Sequence, residues 1–459
     1  MYQVLIAALP LITAPYLARV LGAEKIGEYS FAHSIVSCFV LVAVAGTSLY
    51  GQRTIARSNV LKESQKQILA EILLLRIVGV GASAMVYFGM MYRGVDNHGL
   101  YAIVAIEILA TVFDISWFYQ GIEKFDVVTT CNGACRLLSA VCIFVFVKTQ
   151  EDLNTYAAIY ATTILLGNGV QWYFLPRHLQ KGPLAKMDCL RHVKPAAMLF
   201  LSQIAIQTYT VLDKVMIGLI SGSDLENGYY DQAQKLIRTM TALITSLGAV
   251  MASRVSIVWC SQDPDRENEL ERLFLFSFRL VLALGIPVAV GLDLIATRFV
   301  PVFFGDGYEP VVILLKLLAW TIPLVGCSNI IGMQCFVPSD REELVTKSVM
   351  MGAAVNVCLN LLMIGRWGAL GAVVASVVAE LVVTAIQFVF AYRELPVKKI
   401  LGMILRYGAL SAVMWIAGTW LSGAVSAGFG GMMGIIVLCM GVYALLLVVT
   451  KDKILKIWE

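Results

Sequence analysis

Uninterrupted apolar runs of about 18–25 residues recur along the whole chain, and nothing else in the sequence narrows its fold as far. A hydrocarbon layer about 30 Å thick takes about 20 apolar helical residues to cross. The runs lack the period-two alternation of a membrane β-barrel. Only 14% of the 459 residues are charged, against about 25% in soluble domains, and the mean hydropathy is +0.79. These values exclude a soluble globular enzyme, a disordered chain and a nucleic-acid binder. They leave an all-α integral membrane protein, with length for roughly 13–18 spans and no large soluble domain.

Polar breaks between the runs place fourteen transmembrane helices. They fall near 1–21, 28–50, 68–91, 100–121, 127–147, 155–176, 195–220, 230–256, 273–296, 311–337, 341–364, 368–392, 401–421 and 430–450. The first lacks the basic leading region of a signal peptide and is read as a retained helix. Charge orients the set. With the N-terminus in the cytoplasm, the inner loops and tail hold about twenty Lys and Arg and the outer loops about five. The inner set includes Arg53, Arg57, Lys62 and Lys66, a group over 177–194, and Lys451, Lys453 and Lys456. Both termini are therefore expected in the cytoplasm of a bacterial cell, with the chain multi-pass in its cytoplasmic membrane.

A short pattern occurs twice. Arg19-Val20 and then Gly27-x-Tyr29-x-x-Ala32 surround the first hairpin; Lys214-Val215 and then Gly228-x-Tyr230-x-x-Ala233 surround the hairpin six spans later. Six is even, so both copies have the same orientation, which is a parallel repeat about an axis along the membrane normal. The expected organisation is a six-helix lobe over 1–190, a second over 191–395, and two further helices with a tail over 396–459. Transporters built this way hold substrate between the lobes near the midplane.

A charge at bilayer depth costs about 2.5–3.5 kcal/mol on insertion scales, so buried charges mark protein-facing or water-facing positions. The seventh span carries Gln203, Gln207, Thr210 and Lys214 on one face, with Asp213 beside Lys214. The eighth carries Asp231, Gln234, Lys235, Arg238, Thr241 and Thr245 on one face, and Asp231 and Lys235 are spaced to neutralise each other. Arg76, Arg136, Arg279 and Lys316 lie inside other spans. Cations outnumber acids, which suits a cavity for an anionic head group: Arg offers phosphate a planar fork of donors and Lys a point charge. A structural ion pair or a snorkelling end residue is the competing reading for each. The acids Glu107, Asp114, Asp213 and Glu380 are candidates for proton or sodium coupling; Asp293 is a further acid inside a span. Pro10 and Pro15 are expected to bend the first helix, and Pro287 the ninth. Phe303-Phe304-Gly305-Asp306-Gly307-Tyr308 reads as an outer turn with belt aromatics.

No Walker A pattern or nucleophile motif occurs, so no enzyme chemistry and no cofactor is expected. The ten cysteines form no CxxC pair, and His33, His98, His178 and His192 share no ligand spacing. They are read as packing residues rather than as a metal site.

Several stretches resemble the Wzx-type oligosaccharide repeat-unit flippases. They are Leu9-Pro-Leu-Ile-Thr-Ala-Pro-Tyr-Leu-Ala-Arg-Val-Leu-Gly22, Leu49-Tyr-Gly-Gln-Arg53, Leu212-Asp-Lys-Val-Met-Ile-Gly218, Gly228-Tyr-Tyr-Asp-Gln-Ala-Gln-Lys235, Phe303–Tyr308 and Gly368-Ala-Leu-Gly-Ala372. The resemblance implies the MATE-like fold of the multidrug/oligosaccharidyl-lipid/polysaccharide exporter superfamily. It implies export of undecaprenyl-diphosphate-linked oligosaccharide from inner to outer leaflet for surface polysaccharide such as O-antigen, beside a polymerase and glycosyltransferases. By motif position, the anion-binding role falls to Arg19, Arg53, Lys214 and Arg238, with Lys235, Arg76, Arg279 and Lys316 as further cavity cations. Such proteins usually carry a basic polar stretch before the first span, whereas this chain opens at Met1-Tyr2-Gln3, which points to a start upstream of Met1.

Two relatives in fold compete with this reading: a cation-coupled multidrug antiporter, which should show an acidic aromatic cavity, and a flippase for the peptidoglycan precursor. A membrane glycosyltransferase or polymerase would need acidic catalytic groups in a sizeable outer loop, and the outer loops here are short.

Overall fold

The computed structural model describes residues 2–61, 64–94, 97–179, 187–261, 263–423, 425, 428–452 and 454. Within these, side chains are described except at 2–8, 10, 59–61, 92–94, 201–210, 247 and 249–250. The described chain is helical, with no strand among the described residues. It forms two compact units, Met1–Gly228 and Tyr229–Glu459.

The first unit begins with α1 (Tyr2–Val44), which holds most of the first two expected spans. Its break lies at Gly22, where φ 78 and ψ 167 require a residue without a Cβ; the prolines at 10 and 15 sit inside the continuous helix. Ala45 and Gly46 turn the chain with positive φ into α2 (Thr47–Leu61). A loop was expected from residue 51, but this basic amphipathic stretch is helical. Gly46 is required twice over, because a methyl there would lie 2.3 Å from the Ala196 carbonyl oxygen. Next comes α3 (Gln65–Gly94), and the expected fourth span then divides into α4 (His98–Val104), α5 (Ile106–Phe113) and α6 (Ser116–Gly121). The unit continues with α7 (Phe125–Phe146), α8 (Leu153–His178) and α9 (Leu190–Ser221).

The helix α10 (Asp224–Trp259) opens in the first unit and runs into the second, which goes on with α11 (Arg266–Phe304), α12 (Glu309–Leu318) and α13 (Thr321–Ile330). A π-helical stretch, Ile331–Phe336, extends α13. Then follow α14 (Glu342–Trp367), α15 (Ala369–Phe390), α16 (Val397–Ser422) and α17 (Phe429–Val449). Pro287 lies inside α11 and deprives the Ala283 carbonyl of its helical donor; the Tyr443 hydroxyl on α17 donates to that carbonyl at 2.8 Å. Gly305 and Gly307, both with positive φ, make the turn after α11. The aromatic residues there are not all at the surface: Tyr308 and Phe304 are buried and stack at 5.3 Å.

Large apolar side chains such as Met85 (77% exposed) and Trp420 (83%) stand on the outside, as lipid-facing helices require. Among the described residues, ten helical segments are long and apolar enough to cross a membrane. An eleventh is added if Asp224–Ser246 and Met251–Trp259, bent by 42°, form one span. Leu11–Ser58 counts once in that number. Its 48 residues at 1.5 Å each run to about 72 Å, more than twice the hydrocarbon thickness.

Within the first unit the two copies of the repeated motif touch. A methyl on Gly27 would lie 1.6 Å from the Asp224 carbonyl oxygen, and one on Gly228 would lie 1.9 Å from the Ala23 carbonyl oxygen. The contact is reciprocal: each glycine meets the carbonyl four residues before the other. Small residues let helix backbones approach this closely.

Candidate functional site

The sequence-predicted cations fall into two groups. Arg19 on α1, Arg53 on α2 and Arg238 on α10 are exposed; Lys214 on α9 and Lys235 on α10 are half-buried. Lys235 pairs with the buried Asp231 one turn earlier, at 2.5 Å. Arg238 follows on the α10 face that carries Thr241 and Thr245. A guanidinium exposed to hydrocarbon is costly, and a helix face that is polar over several turns is one built for water or a polar ligand. Asp213, beside Lys214, is fully buried. The Asn227 amide donates to the Lys214 carbonyl at 2.9 Å, which ties α9 to the start of α10. The expected stripe Gln203, Gln207 and Thr210 lies outside the described side chains.

The second group is engaged inside the units. Arg76 is fully buried. Its Nε donates to Thr47 Oγ1 at 2.9 Å, one Nη to the carbonyls of Thr111 (3.2 Å) and Asp114 (2.6 Å), and the other to Ser48 Oγ. The Asp114 carboxylate lies at 3.4 Å, and the Trp117 ring 5.8 Å from the guanidinium carbon. The break between α5 and α6 interrupts the helical hydrogen-bond ladder, and side chains supply donors to the carbonyls around it. Arg76 takes those of Thr111 and Asp114, Asn168 takes Ala110 (2.9 Å), and Trp172 takes Phe113 (2.8 Å). Asp114 Oδ1 in turn caps Ser116 N at 3.0 Å. Arg76 and Asp114 thus hold a broken helix together. In the second unit Lys316 lies 3.9 Å from Asp293, which also accepts from Trp415 Nε1 at 3.1 Å. Arg279 is half-buried on α11, with its charge acting on Tyr407. Glu380 is buried on α15, where its carbonyl accepts from Thr384. Arg136 is exposed on α7.

Glu107 is buried on α5, and His33 Nδ1 lies 3.1 Å from its Oε1. His33 had no predicted partner, because histidine spacing along the chain says nothing of a carboxylate on another helix. A second unforeseen cluster closes the α2–α3–α9 end of the unit. There Glu71 accepts from Gln67 (2.8 Å), Asp188 N (3.0 Å), Arg191 (2.8 Å) and His192 Nε2 (2.7 Å), and His192 Nδ1 meets the Tyr50 hydroxyl at 2.8 Å. A third is the polar seam between α14 and α15. Ser348, Asn356, Asn360 and Gln387 are buried, Asn360 donates to Asn356 at 3.1 Å, and Gln387 donates to Ser348 at 3.0 Å. Its signal was legible: Ser348, Asn356 and Asn360 repeat in multiples of four along an apolar span.

Among the described residues no group of three or more His, Cys, Asp or Glu is arranged to hold a metal ion. All ten cysteines are unpaired.

Comparison with known proteins agrees at the level of family and fold. The profile described as "Polysaccharide biosynthesis protein" matches residues 1–257. A curated protein of Escherichia coli K12, provisionally named an O-antigen transporter, is 23% identical over 399 residues, covering 83% of this chain and 92% of its own. A Shigella dysenteriae protein with the same provisional name is 22% identical over 385 residues, covering 82% and 93%. Among solved structures, the lipid II flippase MurJ in an inward closed conformation superimposes with a TM-score of 0.80 at 14% identity, over 99% of both chains. An inward-facing multidrug MATE transporter gives 0.56 at 13% identity, over 86% of this chain and 98% of its own.

Proposed function

From the premise that the chain belongs to the polysaccharide biosynthesis protein family, with a MATE-like transporter fold, we propose that it flips undecaprenyl-diphosphate-linked oligosaccharide. The unit moves from the inner to the outer leaflet of the bacterial cytoplasmic membrane, to supply surface polysaccharide such as O-antigen. The observation that carries the reading is the polar face of α10: Arg238 exposed, with Lys235 and Thr241 on the same face of a long helix. A diphosphate needs such donors once it leaves water, since a charge-assisted hydrogen bond is about twice as strong as a neutral one. Arg19, Arg53 and Lys214 are the further candidate anion ligands, in a cationic cavity opened alternately to either side. Fourteen spans with both termini in the cytoplasm complete the proposal. Export then needs no enzymatic step within the chain.

A peptidoglycan-precursor flippase is the second reading, favoured by the MurJ superposition. The basic bias among the exposed intramembrane residues disfavours a drug-cation antiporter. Depletion of the protein followed by mass spectrometry of undecaprenyl-diphosphate species tests all three. Accumulation of one complete oligosaccharide unit, with loss of surface polymer, supports the proposal. Accumulation of the peptidoglycan precursor selects the second reading. Normal lipid-linked pools with heightened sensitivity to a cationic drug overturn both.

A further inference from the structure

Neither the family nor the cationic face explains why a histidine and a glutamate are paired in the interior of the first unit. His33 lies 11 residues beyond the Gly22 break and Glu107 lies 9 beyond His98, the start of α4. At 1.5 Å per residue those are about 17 Å and 14 Å along the helices, about half of the roughly 30 Å a span must cover. Glu107 has 8% of its side chain exposed, whereas His33 has 31%. One partner is sealed in protein and the other is open to its surroundings.

The walls are aromatic. Tyr29 stacks on His33 at 5.6 Å, Tyr160 meets it edge-on at 5.7 Å, and Tyr156 packs edge-on against Tyr29 at 4.7 Å. From α3, Tyr87 also feels the charge of Glu107 and donates to the Tyr101 carbonyl of α4 at 2.8 Å. The nearest charges toward the Gly22 end of α1 are Lys25 and Glu28, paired at 2.8 Å, with Asn97 donating to Glu28 at 2.7 Å. A histidine side chain as a class changes charge between about pH 5 and 8.

We infer that His33 and Glu107 form a proton-binding site in the bilayer interior, the point at which the transport cycle proposed above takes up its driving proton. In the loaded state the imidazolium donates Nδ1–H to the Glu107 carboxylate, and the pair is neutral. Release of the second ring proton, from Nε2, leaves a neutral imidazole facing a carboxylate, and the pair carries one negative charge. The pair joins α1 to α5, and α1 also carries Arg19 and the Gly22 break. A change of charge there acts on the helix that bears a candidate anion ligand. The chemistry of the site stands on this geometry; its role in export rests on the flippase reading.

The test uses the full-length protein in its host. Wild type, His33→Gln, Glu107→Gln and the double variant H33Q/E107Q are compared for surface polymer, with and without nigericin to collapse the pH gradient. We expect each single variant to lose export at least tenfold at normal protein level. We expect the double variant, which keeps a neutral hydrogen bond, to export slowly and without response to nigericin. A double variant that exports fully and keeps wild-type sensitivity to nigericin overturns the proposal, since a structural pair alone would behave so. Hydrogen–deuterium exchange of purified protein separates this result from a failure of the flippase reading. Segments 23–44 and 98–121 should change protection between about pH 5.5 and 8.5, beyond the intrinsic rate change, in wild type and not in H33Q/E107Q. Identical behaviour of the two proteins overturns the site whatever is exported.

Discussion

Replacing Arg76 by alanine separates two roles that a buried cation can play. As an anion ligand, its loss should abolish export and leave the fold intact. As the post that holds the α5–α6 break, its loss should unfold the first unit. The structure gives the second role a magnitude. The side chain is fully buried; its removal takes one donor each from the Thr111 and Asp114 carbonyls and from the Thr47 and Ser48 hydroxyls, and the cation 3.4 Å from the Asp114 carboxylate, while Asp114 N still serves Thr111 and Trp117 Nε1 still serves Asp114. Breaking a buried charge pair by deleting one partner costs about 3–5 kcal/mol. Each lost hydrogen bond to a charged group is worth about 1.5–3 kcal/mol, so two such bonds alone come to about 3–6 kcal/mol, in line with the about 3–5 kcal/mol taken here. In a unit of this size each kcal/mol moves the midpoint about 2–4 °C, so a fall of about 6–20 °C is expected. Thermal unfolding of the purified protein, followed by tryptophan fluorescence and by loss of the monodisperse peak, reads this directly. A shift under about 2 °C with export abolished would refute the reasoning and return Arg76 to the substrate.

Three further outcomes follow from the same structure. Arg238→Ala should abolish surface polymer while the protein inserts at its normal level, read by glycan staining beside an immunoblot of the membrane fraction. Gly27→Val should prevent the close α1–α10 approach, because even a methyl would lie 1.6 Å from the Asp224 carbonyl oxygen; a variant that folds and exports normally would contradict the packing. Arg341 binds Glu394 through two bonds of 2.9 and 2.6 Å. Burial opposes ionisation of Glu394, but the bonds from Arg341 and Cys335 outweigh it and hold the carboxyl below its ordinary 4.5. A depressed folded-state pKa stabilises above the unfolded value and is lost as pH falls through the folded one. Stability should therefore fall below pH 4.5 by no more than the roughly 0.2–1 kcal/mol of a solvent-screened surface pair, a fall absent from Glu394→Gln in thermal melts taken against pH.

Much of the architecture was legible because bilayer physics writes it into composition. Runs of about 20 apolar residues can only be helices, and every expected span falls on helix. The turn expected over Phe303–Tyr308 likewise stands in its place, made by Gly305 and Gly307. What escaped was tertiary. That α2 is helical goes with its packing against α3, α6 and α9, which no local pattern shows. The division of the fourth span depends on donors from α3 and α8, far away in sequence. Asp231 with Lys235, and the polar face of α10 that runs through Arg238 to Thr245, follow from helical spacing alone. Arg76 and Asp114 were indistinguishable from ligands until their partners were seen, since the sequence shows a charge in a span but not the carbonyls it satisfies. His33 was invisible for the converse reason, its partner being 74 residues away on another helix.

The central claim is that the protein moves a lipid-linked glycan across the bilayer by means of the cations on α10. Its most direct test is transbilayer movement in proteoliposomes containing the full-length protein and undecaprenyl-diphosphate-linked glycan extracted from depleted cells. Exposure of the sugar to an impermeant oxidant outside the vesicle is followed over time. Wild-type protein is predicted to expose the inner pool within minutes, and Arg238→Ala to leave it protected at the rate of protein-free vesicles. An inner pool that stays protected with wild-type protein, or that is exposed equally fast with Arg238→Ala, would contradict the account.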